Sequence, residues 1–441
     1  MAERTVKIAI VGFGTIGSGV AKILLEDADY IEAKTGIRLV LARVVDIDTK
    51  SKRKVALPQG ILTDNLSSVL EDKSIEIGVE LIGGTKAAKD IQLKLLASGK
   101  DVVTANKALL AEHGNEVYAA AHKADKCIAF EASCAGGIPI ISAIRTGLAA
   151  NRIKAIYAIV NGTCNYILSN MTKKNMQFAD ALKQAQEKGY AEADPTLDIN
   201  GSDSAHKLAI LTSIAFGCEI IPDDIYIEGI ENIDIADIHY GSEMGYTLKL
   251  LAIGQRADDG KISLRVHPCF IASDNALARV DGPFNAVSIF GHAAGQAMFY
   301  GRGAGMMPTA SAVVADIIEV AMGNSKKLFK HLKLEPRNKT KNLISRIDEL
   351  VSRFYIKLRV TDKPGVFAQI CTILANKDIS LSGVLQHEEH NANNVVPAIV
   401  ITHQTQQKKI TAALEDFSKL EIVKDKPVCV RIVDIPEDGV E

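Results

Sequence analysis

The fold is decided near the start of the chain, in Val6-Lys7-Ile8-Ala9-Ile10-Val11-Gly12-Phe13-Gly14-Thr15-Ile16-Gly17, where an apolar strand pattern meets a G-x-G-x-x-G turn. A helix pattern follows at once in Val20-Ala21-Lys22-Ile23-Leu24-Leu25. Gly12 permits a tight turn, Gly14 lets the backbone approach a pyrophosphate, and Gly17 lets the helix pack closely on the strand. The helix N-terminus offers free N–H groups to the phosphates. This order predicts that the chain binds NAD or NADP, rather than forming a plain glycine-rich turn.

Size and composition narrow the class of protein. At 441 residues the chain exceeds one ordinary core, so two or three domains are expected. A hydrophobic content of 47% and a charged content of 24% are typical of a globular protein. A net charge of −2 gives no electrostatic reason to expect a nucleic acid or an anionic membrane as partner. No apolar run reaches the roughly 18 residues of a spanning helix.

Cellular location is inferred from the thiols and the N-terminus. The seven cysteines form no C-x-x-C pair, which predicts reduced thiols and a cytoplasmic location rather than disulfides or a zinc site. The first strand pattern begins almost immediately, which leaves no room for a signal peptide.

Alternating strands and helices in the first half predict an α/β fold with a parallel, doubly wound Rossmann sheet. The predicted elements of this sheet are strands at Arg38–Asp46, Ile77–Gly84 and Asp101–Ala105, with a helix at Ala88–Ser98. After Pro139 we expect a helix at Ile140–Ala150 and then a strand at Ile153–Val160. We assign residues 1–135 to the Rossmann domain, completed by a helix at about 311–325. Residues 136–310 are expected to form an α+β domain for catalysis and dimerisation, with a hairpin that includes Lys261–Val266.

The C-terminal region has its own pattern. Residues 326–350 are basic and contain an internal proline, which favours a linker. Beyond them, Phe354–Val360 alternates at period two, and the turn Asp362–Val366 leads into a helix. A βαββαβ-like order over 351–441 predicts a small ferredoxin-like domain.

Two lysines are the main candidates for chemistry. Lys107 follows the strand 101–105, and ligands of doubly wound sheets bind at the carboxyl ends of their strands. Asp203 and Lys207 are four residues apart, hence on one face of a helix. Ala209-Ile210-Leu211 makes that helix largely apolar, so the Lys207 ammonium is expected to be partly desolvated, as suits an acid/base group. The alternative is two surface lysines and an incidental ion pair.

Two irregular segments are further candidates. Residues 189–203 carry several carboxylates whose spacing does not fit an EF-hand, so they form either a solvated loop or a site for a substrate amine. Glu131–Pro139 is rich in small residues, and its backbone carbonyls either wrap a hard cation or make a tight domain crossover. Cys134 within it has no neighbouring histidine and is predicted to be structural.

Together these segments resemble the homoserine dehydrogenase family, in the family's order, over about residues 5–325. The resemblance rests on the glycine turn, Glu80–Gly84, Val103–Leu110, Phe130–Ile141, Val160–Leu168, Gly189–Asp203, Gly301–Gly305 and Pro308–Ser311. It implies reduction of L-aspartate 4-semialdehyde to L-homoserine with NAD(P)H, and the reverse, in threonine and methionine biosynthesis.

The resemblance also implies residue roles. Lys207 would be the acid/base residue, Lys107 would assist it, and Asp203 would orient Lys207. The implied substrate-binding residues are Gly162, Thr163, Tyr190, Glu192 (for the amine), Asp198 and Asp203. The implied cofactor-binding residues are Gly12, Phe13, Gly14, Thr15, Ile16, Gly17, Asp46, Gly84, Thr85, Asn106, Lys107, Ser133 and Gly303. A monovalent cation, Na⁺ or K⁺, would bind Glu131 and the carbonyls of Cys134, Gly136 and Ile138. The family usually has a threonine where this chain has Cys164.

The C-terminal region, about Phe354–Asp434, resembles an ACT domain, a small-ligand regulatory module. Asp362, Gly365 and Val366 match its first turn, where Gly365 would let an amino acid meet the backbone. L-Threonine is the expected effector, and a purely structural dimerising module is the alternative. A homo-oligomer, dimer or tetramer, is expected.

Cofactor preference depends on the end of the second strand. Asp46 there favours NAD, because a carboxylate bonds the ribose hydroxyl and repels a 2′-phosphate. Lys50, Lys52 and Arg53 follow and favour NADP. We expect use of both, with NAD somewhat preferred.

Two rival functions remain. A nucleotide sensor without catalysis would not require the two lysines and their carboxylates. A semialdehyde dehydrogenase would require a thioester-forming cysteine with a histidine base, and the sequence offers no convincing pair.

Overall fold

A computed structural model describes residues 4–51, 53, 55–387 and 394–436. Its strands are β1 (Arg4–Val11), β2 (Ile37–Val45), β3 (Leu62–Thr63), β4 (Ile75–Glu80), β5 (Asp101–Thr104), β6 (Ile128–Ala129), β7 (Ile153–Ile159), β8 (Tyr226–Ile227), β9 (Tyr246–Arg256), β10 (Ile262–Ala272), β11 (Phe284–Gly291), β12 (Gly295–Arg302), β13 (Val351–Thr361), β14 (Leu381–Leu385), β15 (Val395–Thr402), β16 (Thr405–Gln406) and β17 (Val428–Ile432).

Its α-helices are α1 (Thr15–Glu26), α2 (Ala28–Thr35), α3 (Ser67–Leu70), α4 (Lys86–Ala97), α5 (Lys107–Lys123), α6 (Ile140–Ser142), α7 (Gly162–Lys174), α8 (Phe178–Glu187), α9 (Thr196–Ile199), α10 (Ser202–Phe216), α11 (Ile235–Glu243), α12 (Met306–Ala321), α13 (Asn324–Lys330), α14 (Arg337–Thr340), α15 (Val366–Asn376) and α16 (Gln407–Phe417). Short 3₁₀ turns lie at Glu131–Ser133, Pro222–Asp224, Ala276–Arg279, Lys341–Leu343 and Ile347–Glu349.

The chain divides into two compact units, each made of several segments. The first contains residues 1–162, 202–225 and 283–341, and the second contains 163–201, 226–282 and 342–441. These units interleave along the sequence, whereas the three predicted domains were consecutive. The division into three consecutive domains stays a prediction.

The first unit is built on a six-stranded parallel sheet with the order β3-β2-β1-β4-β5-β6. This is the Rossmann order, so the predicted doubly wound sheet is confirmed. Val6, Ile8 and Ile10 are fully buried, as is Ala9 on the opposite face of β1, because helices cover both faces. Helix α12 returns to this sheet and packs on α1 at Gly19, although it begins five residues earlier than predicted, at Met306 rather than Ser311.

Two predicted elements end early. The strand at 77–84 stops at Glu80, because Gly83 and Gly84 have φ angles of 75° and 70°, which a strand does not allow. The helix at 140–150 has one α-turn and then a π-turn over Ala143–Gly147. Leu148 N–H closes the wide turn on the carbonyl of Ala143 at 2.8 Å, and Gly147, a weak helix former, lies at its end.

The first unit also holds the antiparallel strands β12-β11-β7 and part of the predicted linker. Residues 326–341 are not extended: they include the end of α13, whose Phe329 is buried, and α14. Arg337 in α14 pairs with Asp224 at 2.7 Å.

The second unit contains the strand order β9-β10-β17-β13-β15-β14, and the predicted hairpin is the long antiparallel pair β9–β10. Its C-terminal part runs β13-α15-β14-β15-α16-β17, which confirms the ferredoxin-like arrangement. Phe354, Ile356 and Leu358 point into its core, as the period-two pattern predicts. Tyr355 on the other face is also buried and donates to Asp237 of α11 at 2.9 Å.

Within the described ranges, no single helix combines the length and apolar character needed to cross a membrane. The bent pair α12 and α13, at 83° to each other, passes that test by length and composition when taken together.

Candidate active site

The glycine turn lies at the carboxyl end of β1 and has the geometry that a dinucleotide needs. Gly12 has a φ of 101°, and a Cβ there would lie 2.7 Å from the backbone of Leu81. A Cβ at Gly17 would overlap the carbonyl oxygen of Gly12. Gly14 faces open space, so its backbone is accessible to a ligand. These residues fit a bound pyrophosphate at the start of α1.

Asp46 accepts a hydrogen bond from the backbone of this turn, a role that the sequence did not predict. Its Oδ2 accepts the Phe13 N–H at 2.6 Å, and its Oδ1 accepts the Asp48 N–H at 2.8 Å. Arg53 Nη2 lies 3.5 Å from Asp46 Oδ1 and 3.2 Å from Asp48 Oδ2. Lys50 is exposed, and Lys52 lies outside the described residues. A carboxylate and a guanidinium therefore stand together where β2 ends.

The loops after β4 and β5 are tied together by buried polar groups. Glu80 Oε2 accepts hydrogen bonds from Thr104 Oγ1 at 2.9 Å and from Gln92 Nε2 at 2.8 Å. Asn106 caps α5 by accepting the Leu109 N–H, and its Nδ2 donates to the carbonyl of Gly84 at 2.7 Å. The predicted cofactor residues Gly84, Thr85 and Asn106 therefore lie at one edge of the sheet.

A buried carboxylate joins the two candidate lysines. Asp203 Oδ1 lies 2.8 Å from Lys107 Nζ, and Asp203 Oδ2 lies 2.7 Å from Lys207 Nζ. Lys207 Nζ also donates to the carbonyl of Val160 at 2.7 Å. Side-chain exposure is 9% for Asp203, 11% for Lys207 and 40% for Lys107. The alternative of two surface lysines does not describe Lys207.

The electrostatics of the cluster keep the carboxylate charged. Burial opposes ionisation of Asp203, but the charges of Lys207 and Lys107 outweigh it and hold the pKa of Asp203 well below its ordinary value. Asp203 also lies in the first turn of α10, not in an irregular loop as the acidic stretch suggested, and a negative charge is stabilised at a helix N-terminus.

Sequence reasoning missed one partner of this carboxylate. Asn161 Nδ2 donates to Asp203 Oδ2 at 2.9 Å, and Asn161 is almost fully buried. Its position two residues after the strand that ends at Ile159 was the available signal.

The segment proposed to hold a cation is buried and tightly turned. Ala135 has a φ of 48°, and a Cβ at Gly136 would lie 2.8 Å from Thr309 Oγ1. Glu131 accepts the N–H groups of Ile141 and Ser142 at 2.8 and 2.7 Å. Burial raises the pKa of Glu131 to about 7, so an adjacent cation would favour its charged form. Carboxylates and backbone carbonyls are the oxygen ligands that a hard ion prefers.

Two small residues named with the cofactor differ in exposure, since Ser133 is buried and Gly303 is half-buried. Ser133 Oγ donates to the carbonyl of Phe130 at 2.6 Å. A side chain at Gly303 would overlap the amide of Asn285. Burial raises the pKa of the Cys134 thiol to about 12, in line with a structural cysteine.

The second unit brings together part of the predicted substrate set. Thr163 Oγ1 lies 2.6 Å from the carbonyl of Tyr190 and 3.1 Å from Asp198 Oδ2. Cys164 Sγ donates to the carbonyl of Asp198 at 3.2 Å, so the thiol does hydrogen-bond in this region. The Glu192 side chain is exposed.

The predicted effector residues lie between β13 and α15. The Asp362 N–H donates to the carbonyl of Asn394 at 2.9 Å, and Asn394 Nδ2 donates to the carbonyl of Asp362 at 2.7 Å. Gly365 has a φ of 89°, a conformation that favours glycine, and Val366 is buried.

Comparison with known proteins agrees over nearly the whole chain. Residues 139–318 match the family model for homoserine dehydrogenase, residues 12–131 match its NAD binding domain, and residues 354–421 match the ACT domain. Homoserine dehydrogenase from Neisseria gonorrhoeae is 41% identical over 428 residues, which cover 96% of this chain and 98% of that protein.

Solved structures show the same likeness. The homoserine dehydrogenase from Thiobacillus denitrificans superposes with a TM-score of 0.89 at 40% identity, over 98% of this chain and 99% of that one. A hyperthermophilic archaeal homoserine dehydrogenase mutant in complex with NADPH has a TM-score of 0.62 at 28% identity, over 73% of this chain and 98% of that one. The chain belongs to the homoserine dehydrogenase family of NAD(P)-dependent oxidoreductases and carries a C-terminal ACT domain.

Proposed function

We propose that this chain interconverts L-aspartate 4-semialdehyde and L-homoserine with Lys207 as the proton donor and acceptor, as a step toward threonine and methionine. The observation that carries the proposal is the buried Asp203 carboxylate, which binds Lys207 on one oxygen and Lys107 on the other. This cluster belongs to the same unit as the glycine turn.

The reaction needs one hydride and one proton. A bound NAD(P)H supplies the hydride to the aldehyde carbon. The negative charge that then develops on the aldehyde oxygen is stabilised by a nearby ammonium, and Lys207 gives that oxygen its proton to form the alcohol. In the reverse direction Lys207 takes the hydroxyl proton. Asp203 is a carboxylate when the proton transfer begins, because the charges of the two lysines keep its pKa low.

Substrate binding is assigned to residues of the acidic stretch and the start of α7. An exposed carboxylate at Glu192 suits a substrate ammonium, and Thr163 stands next to Asp198. Glu192→Gln should raise the KM for the amino-acid substrate without weakening cofactor binding, whereas an unchanged KM would mean that Glu192 does not bind the substrate amine.

A monovalent cation is assigned to Glu131 and the carbonyls of Cys134, Gly136 and Ile138. It would supply positive charge beside a buried carboxylate whose pKa burial raises to about 7. Activity compared in Na⁺, K⁺ and tetramethylammonium salts at equal ionic strength tests this assignment.

The ACT domain is assigned to L-threonine, which would bind at Asp362, Gly365 and Val366 and inhibit the enzyme. The family match to an ACT domain and the positive φ at Gly365 support a ligand that meets the backbone there. Calorimetry with L-threonine on the full chain tests it, and full activity at millimolar threonine with no heat of binding favours a structural, dimerising module. Mass photometry tests the expected dimer or tetramer.

The function is tested by following NAD(P)H loss with aspartate semialdehyde in the wild type and in Lys207→Ala. The proposal predicts turnover in the wild type, with a loss of orders of magnitude in the variant. A wild type that binds NAD(P)H yet never consumes it would favour the rival nucleotide sensor.

A further inference from the structure

Asn161 contacts the catalytic ion pair from the strand side. Its Nδ2 donates to Asp203 Oδ2 at 2.9 Å, the same oxygen that accepts Lys207 Nζ at 2.7 Å. The preceding residue, Val160, accepts a second hydrogen bond from Lys207 Nζ at 2.7 Å. Two consecutive residues after β7 therefore hold both members of the pair, one through a side chain and one through the backbone.

We propose that Asn161 is a positioning residue that fixes the Asp203 carboxylate while Lys207 gives up and regains its proton. The inference rests on the proposed function, because it assumes that Lys207 changes its charge during turnover.

The reason lies in what each donor can do during the reaction. Lys207 is charged before it gives its proton and neutral afterwards, so its hydrogen bond to Asp203 weakens at that moment. Lys107 holds the other oxygen, but its side chain is 40% exposed. An amide does not titrate at any relevant pH, so Asn161 keeps the same hydrogen bond in both states.

Burial prevents water from replacing the Asn161 amide as a hydrogen-bond donor. Asn161 is 4% exposed and Asp203 is 7% exposed, so water has little room to replace a lost donor. Without the amide, the carboxylate can turn toward Lys107 and draw Lys207 from the line of proton transfer. A displacement of about 1 Å at a reacting group lowers the rate by roughly 100-fold.

The test uses Asn161→Leu, which keeps the approximate shape and removes the donor. We expect kcat to fall by roughly 10- to 100-fold, with the NADH dissociation constant unchanged. The solvent isotope effect on kcat should increase, because proton transfer becomes slower relative to the other steps. Asn161→Ala, which removes the donor and adds neither charge nor bulk, is the second variant if the leucine variant does not fold, and it should show the same rise in the solvent isotope effect and the same loss of kcat.

Asn165→Leu is the matched control. Asn165 is also a buried amide, and it donates to the carbonyls of Val280 and Gly282 at 3.1 and 2.9 Å. Replacing this amide by leucine should lower the melting temperature and leave the solvent isotope effect on kcat as in the wild type.

Two results overturn the inference. One is a kcat for Asn161→Leu within twofold of wild type, and the other is a lower kcat with a solvent isotope effect equal to that of the wild type. The proposed function fails separately, since in that case Lys207→Ala itself remains active.

Discussion

Lys207 Nζ donates to Asp203 Oδ2 across 2.7 Å, one helical turn along α10, and about nine-tenths of each side chain is buried. A lone ammonium in such surroundings would be strongly destabilised by the loss of water. The carboxylate offsets part of that penalty, and Lys107 contacts its other oxygen. The ion pair thus stabilises two buried charges, and in the proposed mechanism it also holds the proton that Lys207 transfers.

Removing the charge of Asp203 should lower both stability and turnover. Asp203→Asn leaves two cations without their counter-charge, and breaking a buried pair in this way costs about 3 kcal/mol. Chemical denaturation at pH 7 measures the loss, and the same variant should lose roughly 100-fold in kcat. A variant as stable and as active as the wild type would contradict the assigned role.

The same carboxylate predicts a pH dependence of stability. The native pKa of Asp203 lies below its ordinary value, so its stabilisation is fully present above the unfolded pKa of about 4 and is lost as pH falls through the native pKa. The gap in unfolding free energy between wild type and Asp203→Asn should therefore narrow below pH 4. A gap that stays constant from pH 7 to pH 3 would show that charge is not its origin.

Two glycines of the turn should respond differently to alanine. A Cβ at Gly17 would overlap the Gly12 carbonyl, so Gly17→Ala should lower the melting temperature as well as cofactor affinity. Gly14→Ala meets open space and should fold normally, yet bind NADH at least about 10-fold more weakly, because the methyl group occupies the approach to the pyrophosphate. Fluorescence titration with NADH, beside thermal melts, separates the two effects.

Arg53 should affect the two cofactors unequally. Its guanidinium pairs with Asp46 and Asp48 where β2 ends, and a guanidinium at that position is able to bind a 2′-phosphate. Arg53→Ala should lower kcat/KM for NADPH roughly 10-fold, with little change for NADH. The expected preference for NAD would be contradicted if the wild-type enzyme had a kcat/KM for NADPH more than a hundredfold above its kcat/KM for NADH.

Glu131 predicts a cation effect that depends on pH. Burial raises its pKa to about 7, so in the absence of a cation the unfolding free energy should fall between pH 4.5 and pH 7 by at most about 3 kcal/mol. Above pH 7, Na⁺ or K⁺ should raise the melting temperature relative to tetramethylammonium. Glu131→Gln should abolish this rise in melting temperature. If the variant shows the same rise as the wild type, the cation binds elsewhere.

Local patterns were the predictable part of the fold and the site. The glycine turn and the Asp203–Lys207 spacing each lie within a few residues, so turn and helix geometry suffice to read them. The contact of Lys107 with Asp203 joins distant parts of the chain, and only the resemblance to a family linked them. Spacing carries no information about which helix packs beside which strand.

The features that the sequence did not predict also depend on contacts between distant parts of the chain. Asn161 and Glu80 act through partners that only the folded sheet brings near, namely Asp203 for the first and Thr104 and Gln92 for the second. The π-turn at Ala143–Gly147 follows from packing and one glycine rather than from a periodic pattern. Interleaving of the two units cannot be read from consecutive composition.

The most direct test of the central claim is the pre-steady-state rate of NADH oxidation with aspartate semialdehyde in Lys207→Ala, with Lys207→Arg as the control for charge. The account predicts a rate at least about 100-fold below wild type in Lys207→Ala, with an unchanged NADH dissociation constant. Arginine restores the charge but is a poor proton donor, so Lys207→Arg should remain slow. A Lys207→Ala enzyme that oxidises NADH within a few-fold of the wild-type rate would contradict the account.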